Sequence, residues 1–225
     1  MRLQKQAYIL DARIIFDKNR LDKKTELHQH LVISPYPKKY ELLWYLKDGR
    51  EILFRPIKPE DEPLWLEMFK SFSEEAIRYR FFQILKETPH EVRVRYCNID
   101  YDREIAIIPI IKEDNISKIL GVGRLIIEPD GKTGEIAFII RDKWQRLGLG
   151  AKLVDYVLEI AMKMGIKKVI AIIMEENFKA IKLVEKMGFK TKKQDDTVKA
   201  YVPATRVRDS RWKNTVRSKP KSRII

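Results

Sequence analysis

The chain has 225 residues, 44% of them apolar, and a formal net charge of +14. That length supports one good-sized core with extensions, and no apolar run approaches the ~20 residues that cross a bilayer, so no membrane contact is expected. A single cysteine, Cys97, excludes an internal disulfide, and with three histidines argues against a structural zinc site. The N-terminus lacks the apolar stretch of a secretion signal, and the expected location is cytoplasmic.

Three segments follow from composition. Residues 1–39 hold an apolar, strand-like stretch at 7–17, a charged loop, and a segment around Leu31 to Tyr40 broken by Pro35 and Pro37. Nothing in this extension is placed to do chemistry. Residues 40–203 carry the regular patterning of one domain. Residues 204–225 form a basic tail, in which eight Lys and Arg stand against one acid, Asp209, and supply half the net charge. With little apolar content it reads as flexible. It either solubilises the chain or makes weak contact with nucleic acid or another acidic partner, with Trp212 available to stack on a base.

Within the domain, Asp48-Gly49 between two β-type runs predicts a hairpin over 42–57. Three helices come next. One begins near Glu60 and carries a stripe of Leu64, Trp65, Met68 and Phe69; one is capped by Ser73 and runs to about Phe82; one starts at Thr88-Pro89-His90-Glu91, a capping box with proline at the first helical position. Strands over 103–112, 117–128 and 132–141 follow, separated by turns at Asn115 and Pro129-Asp130-Gly131. A helix with an apolar stripe of Leu153, Val154, Val157, Leu158 and Ala161 leads to Gly165. After it come a buried strand over 168–173, a helix capped by Asn177 and ended by Gly188, and a strand pair over 189–193 and 197–202.

The stretch around which this order is arranged is Gln145-Arg146-Leu147-Gly148-Leu149-Gly150-Ala151. It joins the strand ending at Arg141 to a helix. Glycines there open the unpaired N–H groups of the first helical turn, which carry partial positive charge, to an anion. The segment reads as a seat for a phosphate or pyrophosphate. Its spacing is neither the dinucleotide fingerprint nor a P-loop.

Gln145 to Gly150 is similar to the Gln/Arg-x-x-Gly-x-Gly/Ala signature of the Gcn5-related N-acetyltransferases (GNAT), and Asn177-Phe178-Lys179-Ala180-Ile181-Lys182-Leu183 with Gly188-Phe189 resembles a second segment of that superfamily. The element order is also the superfamily's. The resemblance implies an α/β (α+β) fold: a mixed, mostly antiparallel, splayed sheet with helices on both faces. It also implies acetyl-CoA as co-substrate, with no metal. A narrower likeness to the Pat-type protein lysine acetyltransferases is carried by Leu53 to Pro63, Arg78 to Phe82, and Ile99 to Glu104. Leu10 to Arg13 and His30 to Pro37 resemble the end of an ADP-forming acyl-CoA synthetase-like region, so ligase activity is not expected. Implied acceptors are lysines on a protein, with an acyl-CoA synthetase or a nucleic-acid-associated protein as candidates. A small-amine acetyltransferase and a non-catalytic CoA-sensing or nucleic-acid-binding module stay open as alternatives.

The chemistry narrows the candidates further. A lysine of pKa near 10.4 is only about one part in a thousand neutral at pH 7.4, so the site must take a proton from it. Glu135 shares a strand face with Ala137 and Ile139; at the rim of an apolar strand its pKa should rise, as suits a general base, and the Pat resemblance puts the catalytic glutamate here. The resemblance implies that pantetheine enters between this strand and the one at 168–173, with a main-chain N–H among Ile136, Ala137, Phe138 and Ile139 as carbonyl donor. Pyrophosphate then meets the amides of Gln145, Arg146, Leu147, Gly148, Leu149, Gly150 and Ala151, with Arg146, Lys143 or Lys152 adding charge. Asn177 is an N-cap and, by resemblance, a contact to the CoA arm. Where many superfamily members carry a tyrosine as general acid, this chain has Val184; Tyr201 is the alternative donor. Acceptor choice is expected from residues 73–82 and from Asp100-Tyr101-Asp102.

Overall fold

The structure, a computed structural model, describes residues 34–203. The strand-like stretch at 7–17, the synthetase-like resemblance of Leu10 to Arg13, and the basic tail with Trp212 lie outside the described residues.

The described residues form nine strands and five α-helices, most of them following an alternating or 3.6-residue apolar pattern; Lys190–Gln194, Lys-Thr-Lys-Lys-Gln, has none. In chain order they are β1 (Leu42–Tyr45), β2 (Glu51–Pro56), α1 (Glu62–Lys70), α2 (Glu74–Phe81), α3 (His90–Cys97), β3 (Glu104–Glu113), β4 (Ile116–Ile119), β5 (Gly121–Ile127), β6 (Thr133–Ile140), α4 (Leu149–Lys163), β7 (Lys168–Met174), α5 (Phe178–Lys186), β8 (Lys190–Gln194) and β9 (Thr197–Pro203). One sheet of order β1-β2-β3-β5-β6-β7-β9-β8 holds eight of the strands, and β4 pairs with β3 beside that path. Every pairing is antiparallel except β6 with β7. The expected α/β class, with its splayed sheet and helices on both faces, is what the residues build.

The single predicted strand over 117–128 is two strands, broken at Leu120. The cause lies in β3, where Pro109 has no N–H to offer a neighbour. Leu120 N–H donates to Pro109 O at 2.8 Å, while Leu120 O accepts from Arg141 N–H at 2.9 Å instead. The ladder therefore changes partners at the proline and leaves no main-chain group stranded there. The predicted capping box at Thr88 is also absent. Pro89 occupies the N-cap of α3 with no side-chain hydrogen bond. Arg93 Nη1 takes Thr88 O at 2.5 Å, and Thr88 Oγ1 is buried without a partner. The other two caps form as read: Ser73 Oγ accepts from Ala76 N–H at 3.2 Å, and Asn177 Oδ1 accepts from Ala180 N–H at 3.1 Å.

Two cores sandwich the sheet. On one face α4 lays Leu153, Val157 and Ile160 against Leu125 and Ile136, with Val184 of α5 beside them. Gly123 of β5 lets α4 come close: a Cβ there would lie 2.9 Å from Leu153 Cγ. On the other face α1, α2 and α3 pack Trp65, Met68, Phe69 and Ile77 against Ile108, Val122 and Ile139. Trp65 is stacked between Phe69 (5.4 Å) and Tyr96 (5.3 Å). The stretch entering the domain also packs on it. Tyr40 is buried, and the Tyr36 ring meets Tyr101 edge-on at 6.0 Å.

Candidate active site

The site begins with a pairing that stops. Strands β6 and β7 share three register pairs, Thr133 with Lys168, Gly134 with Val169 and Glu135 with Ile170, and then separate. Across the β5–β6 ladder Arg141 N–H reaches Leu120 O, so by alternation the main-chain groups of Ala137 and Ile139 point to β5, while those of Ile136, Phe138 and Ile140 point to the other side. There β7 has left, and Phe138 presents its N–H and C=O to the opening. Gln145 closes one of these groups, its Nε2 donating to Ile140 O at 3.2 Å.

At the wide end of the gap stands the N-terminus of α4. Gly148 is its N-cap at φ +84°, a left-handed conformation that L side chains rarely adopt, and a Cβ there would meet nothing within 4 Å. The first main-chain hydrogen bond of the helix is Lys152 N–H to Gly148 O at 3.0 Å. The amides of Leu147 to Ala151 therefore have no main-chain acceptor among the described residues, the condition for an anion seat. Gln145 differs from the expectation: its own N–H donates to Asp142 O at 3.2 Å, which withdraws it from the cradle. The side chains of Leu147 and Leu149 also lie away from the cavity, Leu147 outward and Leu149 in the core.

A cavity of about 320 Å³ fills this end. Phe138, Ile139, Arg146, Gly148, Gly150 and Ala151 wall it on the β6 and α4 side, and Asn177, Lys179, Ala180 and Leu183 of the α5 segment wall the other. A second cavity of about 260 Å³ continues through the gap and is lined by Glu135, Ile136, Ala137, Phe138 and Ile172. The two share Tyr79, Arg80, Phe138, Asn177 and Ala180, so they form one passage from the amide cradle to the carboxylate. Helix α2 roofs it: Arg78 pairs with Glu176, and Tyr79 Oη donates to Glu176 O at 3.3 Å. Ser73 N–H donates to Asp142 Oδ2 at 3.0 Å, tying the start of α2 to the turn before the cradle.

Glu135 is half-buried and accepts no hydrogen bond from the described residues. Burial raises its pKa, and the like charge of Glu128 adds to the rise; Arg80 and Lys199 oppose it. Arg80 lies along both cavities with its Nε buried and unbonded, and burial lowers its own pKa. Arg80 lies within residues 73–82, where acceptor choice is expected, and Lys179 within the segment that follows Asn177; the tertiary fold brings α2 and α5 together at the gap. Arg146 lines the cradle, at φ +62°. Lys143 and Lys152 do not line it, and Lys152 turns to Asp155 at 3.7 Å. Asp100, Tyr101 and Asp102 are not at the site. Tyr101 Oη donates to Ile57 O at 2.7 Å and Asp102 accepts from Ser34 Oγ at 2.5 Å, so this segment anchors the incoming chain. Tyr201 lines neither cavity and lies under Lys168, whose Nζ is 5.7 Å from its ring centroid. Cys97 is buried, which pushes its thiol up to about 12, as befits a small core hydrophobe.

Comparison with known proteins bears on this arrangement. The family model described as "Acetyltransferase (GNAT) family" matches residues 65–189, more than half of the chain. The chain is 27% identical over 127 residues to Acetyltransferase PA5475 of Pseudomonas aeruginosa, covering 56% of this chain and 68% of that protein. It is 23% identical over 144 residues to Acetyltransferase Pat of Mycolicibacterium smegmatis, covering 64% of this chain but only 42% of that longer protein. Among solved structures, the GNAT domain of S. lividans PAT superposes with a TM-score of 0.69 at 23% identity, covering 75% of this chain and 99% of that one. Spermidine N-acetyltransferase from Vibrio cholerae, solved with CoA and spermine, superposes at 0.58 with 18% identity, over 70% of this chain and 98% of that one. These two structural likenesses speak to the fold.

Proposed function

The chain belongs to the acetyltransferase (GNAT) family, an N-acetyltransferase that uses acetyl-CoA, and on that premise we propose that it acetylates the side-chain amine of lysine on a protein, with Glu135 as general base. The observation that carries this reading is the single passage joining the unpaired amides of Leu147 to Ala151 to the free carboxylate of Glu135.

The residues fit the co-substrate. The helix start offers N–H groups with no acceptor of their own, Gly148 keeps side chain away from them, and Arg146 and Lys179 line the same cavity. These groups hold the pyrophosphate. The walls Phe138, Ile139, Ala180 and Leu183 suit the apolar part of the pantetheine arm, while Asn177 spends its Oδ1 on the helix cap and keeps its amide N–H groups for a polar contact. Bound acetyl-CoA supplies an acyl thioester. Phe138 N–H, facing the gap just beyond the last β6–β7 pair, donates to oxygen as negative charge develops there. Glu135 removes the proton from the incoming ammonium so that nitrogen has a lone pair with which to attack. Its pKa is raised by burial first and by Glu128 second, the direction that suits a base, while Arg80 and Lys199 oppose the rise. Neither position considered from the sequence supplies an acid to the leaving sulfur: Val184 is fully buried and Tyr201 lines neither cavity, while Tyr79, which lines both, donates its Oη to Glu176 O at 3.3 Å. A simple thiolate, of pKa near 8.5, leaves without that help.

We take a single lysine amine rather than a polyamine as acceptor because Glu135 has one carboxylate neighbour, Glu128, and two cationic ones, Arg80 and Lys199, whereas a polycation calls for several carboxylates. The test is a panel of lysine peptides and polyamines offered with labelled acetyl-CoA. We expect label on the lysine Nζ of peptides and at least tenfold less on spermidine; label on polyamines alone would contradict the protein-lysine reading.

A further inference from the structure

We propose that a third, cationic cavity beside Glu135 receives a carboxylate of the acceptor segment, so that the enzyme favours lysines accompanied by a nearby Asp or Glu. The inference rests on the protein-lysine reading and specifies the sequence around the target.

The cavity, about 470 Å³, is walled by Arg80, Arg95, Arg124, Tyr96, Glu91 and Glu104. Three guanidinium groups thus meet two carboxylates, and Glu104 is already shared: it pairs with Arg124 and lies 3.0 Å from Arg95 Nη1. Arg124 is 4% exposed; its Nη2 donates to Tyr96 O at 2.6 Å, its plane lies 4.9 Å from the Tyr96 ring centroid, and its Nε is buried without a partner. Arg80 has no carboxylate within ion-pair distance among the described residues, and its Nε is likewise unbonded. Glu135 acts on Arg80 from the adjoining cavity, yet the Nε groups of Arg80 and Arg124 both stay without an acceptor. Burial, then repulsion from Arg80 and Arg95, holds Arg124 down to about 9, a cost that a bound anion would relieve.

Position connects this cavity to the acceptor. Arg80 and Tyr96 line both it and the cavity that holds Glu135, so an amine at Glu135 and an anion at the arginines belong to one bound segment. The sheet face on the other side of Glu135 has the same sign. By register, Ile170 of β7 lies beside Glu135 and Tyr201, Ile172 beside Lys199, Tyr201 beside Lys190 and Lys199 beside Lys192. That face leaves Ile172 and Tyr201 exposed and is rimmed by lysines, a surface complementary to an acidic chain rather than a basic one.

The experiment uses the full chain, acetyl-CoA and peptides bearing one lysine, with Glu or Gln at each of the four positions on either side. At one or more positions Glu should raise kcat/KM about tenfold over Gln, the size expected of one charge-assisted pair. Arg95→Glu should collapse that ratio and favour Lys over Glu at the same position. The Arg95 side chain is 67% exposed, so the variant should fold, and its acetyl-CoA affinity reports that it has. Equal kcat/KM for Glu and Gln at every position, with lysine still acetylated, overturns this inference and leaves the lysine reading standing. A ratio unmoved by Arg95→Glu overturns it as well. Acetylation of no peptide at all overturns both.

Discussion

Glu135 is placed so that its charge is costly in the folded protein, and the proposed reaction needs that charge. Its folded pKa lies above that of an unfolded glutamate because of burial and Glu128. A raised carboxylate pKa stabilises the fold below the unfolded value, near 4.3, and that contribution is lost as pH rises through the folded value. Glu135→Gln removes the penalty. The variant should melt at or above the wild-type temperature at pH 8, with the gap narrowing as pH falls toward 4; a lower melting temperature at pH 8 would mean that the carboxylate is a structural anchor instead. The two glycines of the cradle differ in the same residue-level way. Gly148 sits at φ +84°, where a side chain costs about 1–2 kcal/mol, whereas a Cβ on Gly150 would find only Ile140 Cγ1 and Leu183 Cδ2, both at 3.7 Å. Gly148→Ala should lower both thermal stability and acetyl-CoA affinity, and Gly150→Ala should leave both within experimental scatter. Equal losses in a calorimetric titration would contradict this division.

At the scale of elements, the site depends on how closely α4 approaches the sheet and on where β6 and β7 part. Gly123 sets the first. Its replacement by Ala drives a Cβ to 2.9 Å from Leu153 Cγ, and overpacking of that kind costs about 1–3 kcal/mol, offset in part by about 0.5–1 kcal/mol from removing a strand glycine. Gly123→Ala should therefore lose roughly 1–2 kcal/mol in denaturant unfolding and weaken acetyl-CoA binding by shifting the helix start; unchanged unfolding would show that α4 yields freely. Local elements were legible from sequence where one residue type decides them, as with Asp48-Gly49 in the first hairpin, Ser73 and Asn177 at their caps, and Gly148 before α4. Two local readings failed. Thr88 has the letters of a capping box, yet Pro89 takes the N-cap and the Thr88 hydroxyl has no partner; the run over 117–128 is patterned as one strand, yet Pro109 on the neighbouring strand breaks it.

For the whole molecule, the glycine turn and the carboxylate of Glu135 were legible as candidates in the sequence because they lie within sixteen residues of one another on one strand and one turn. The stretch 73–82 was also legible as part of the site, but the contact that holds it there was not: Arg78 pairs with Glu176 from 98 positions away, and no periodicity announces that meeting. Asp100, Tyr101 and Asp102 show the reverse: a charged cluster that invites a functional reading but ties down the chain near Ser34 and Ile57. The basic character is likewise more than a matter of the last residues, since Arg80, Arg95 and Arg124 gather inside the domain near Glu135.

In the proposed mechanism Glu135 acts as the base at one end of a passage whose other end binds acetyl-CoA. The most direct measurement is the kinetics of Glu135→Gln with a lysine substrate, alongside its affinity for acetyl-CoA. The account predicts an unchanged dissociation constant and a kcat reduced by about 10²–10⁴, the range for loss of a general base. Wild-type kcat in the variant would contradict it.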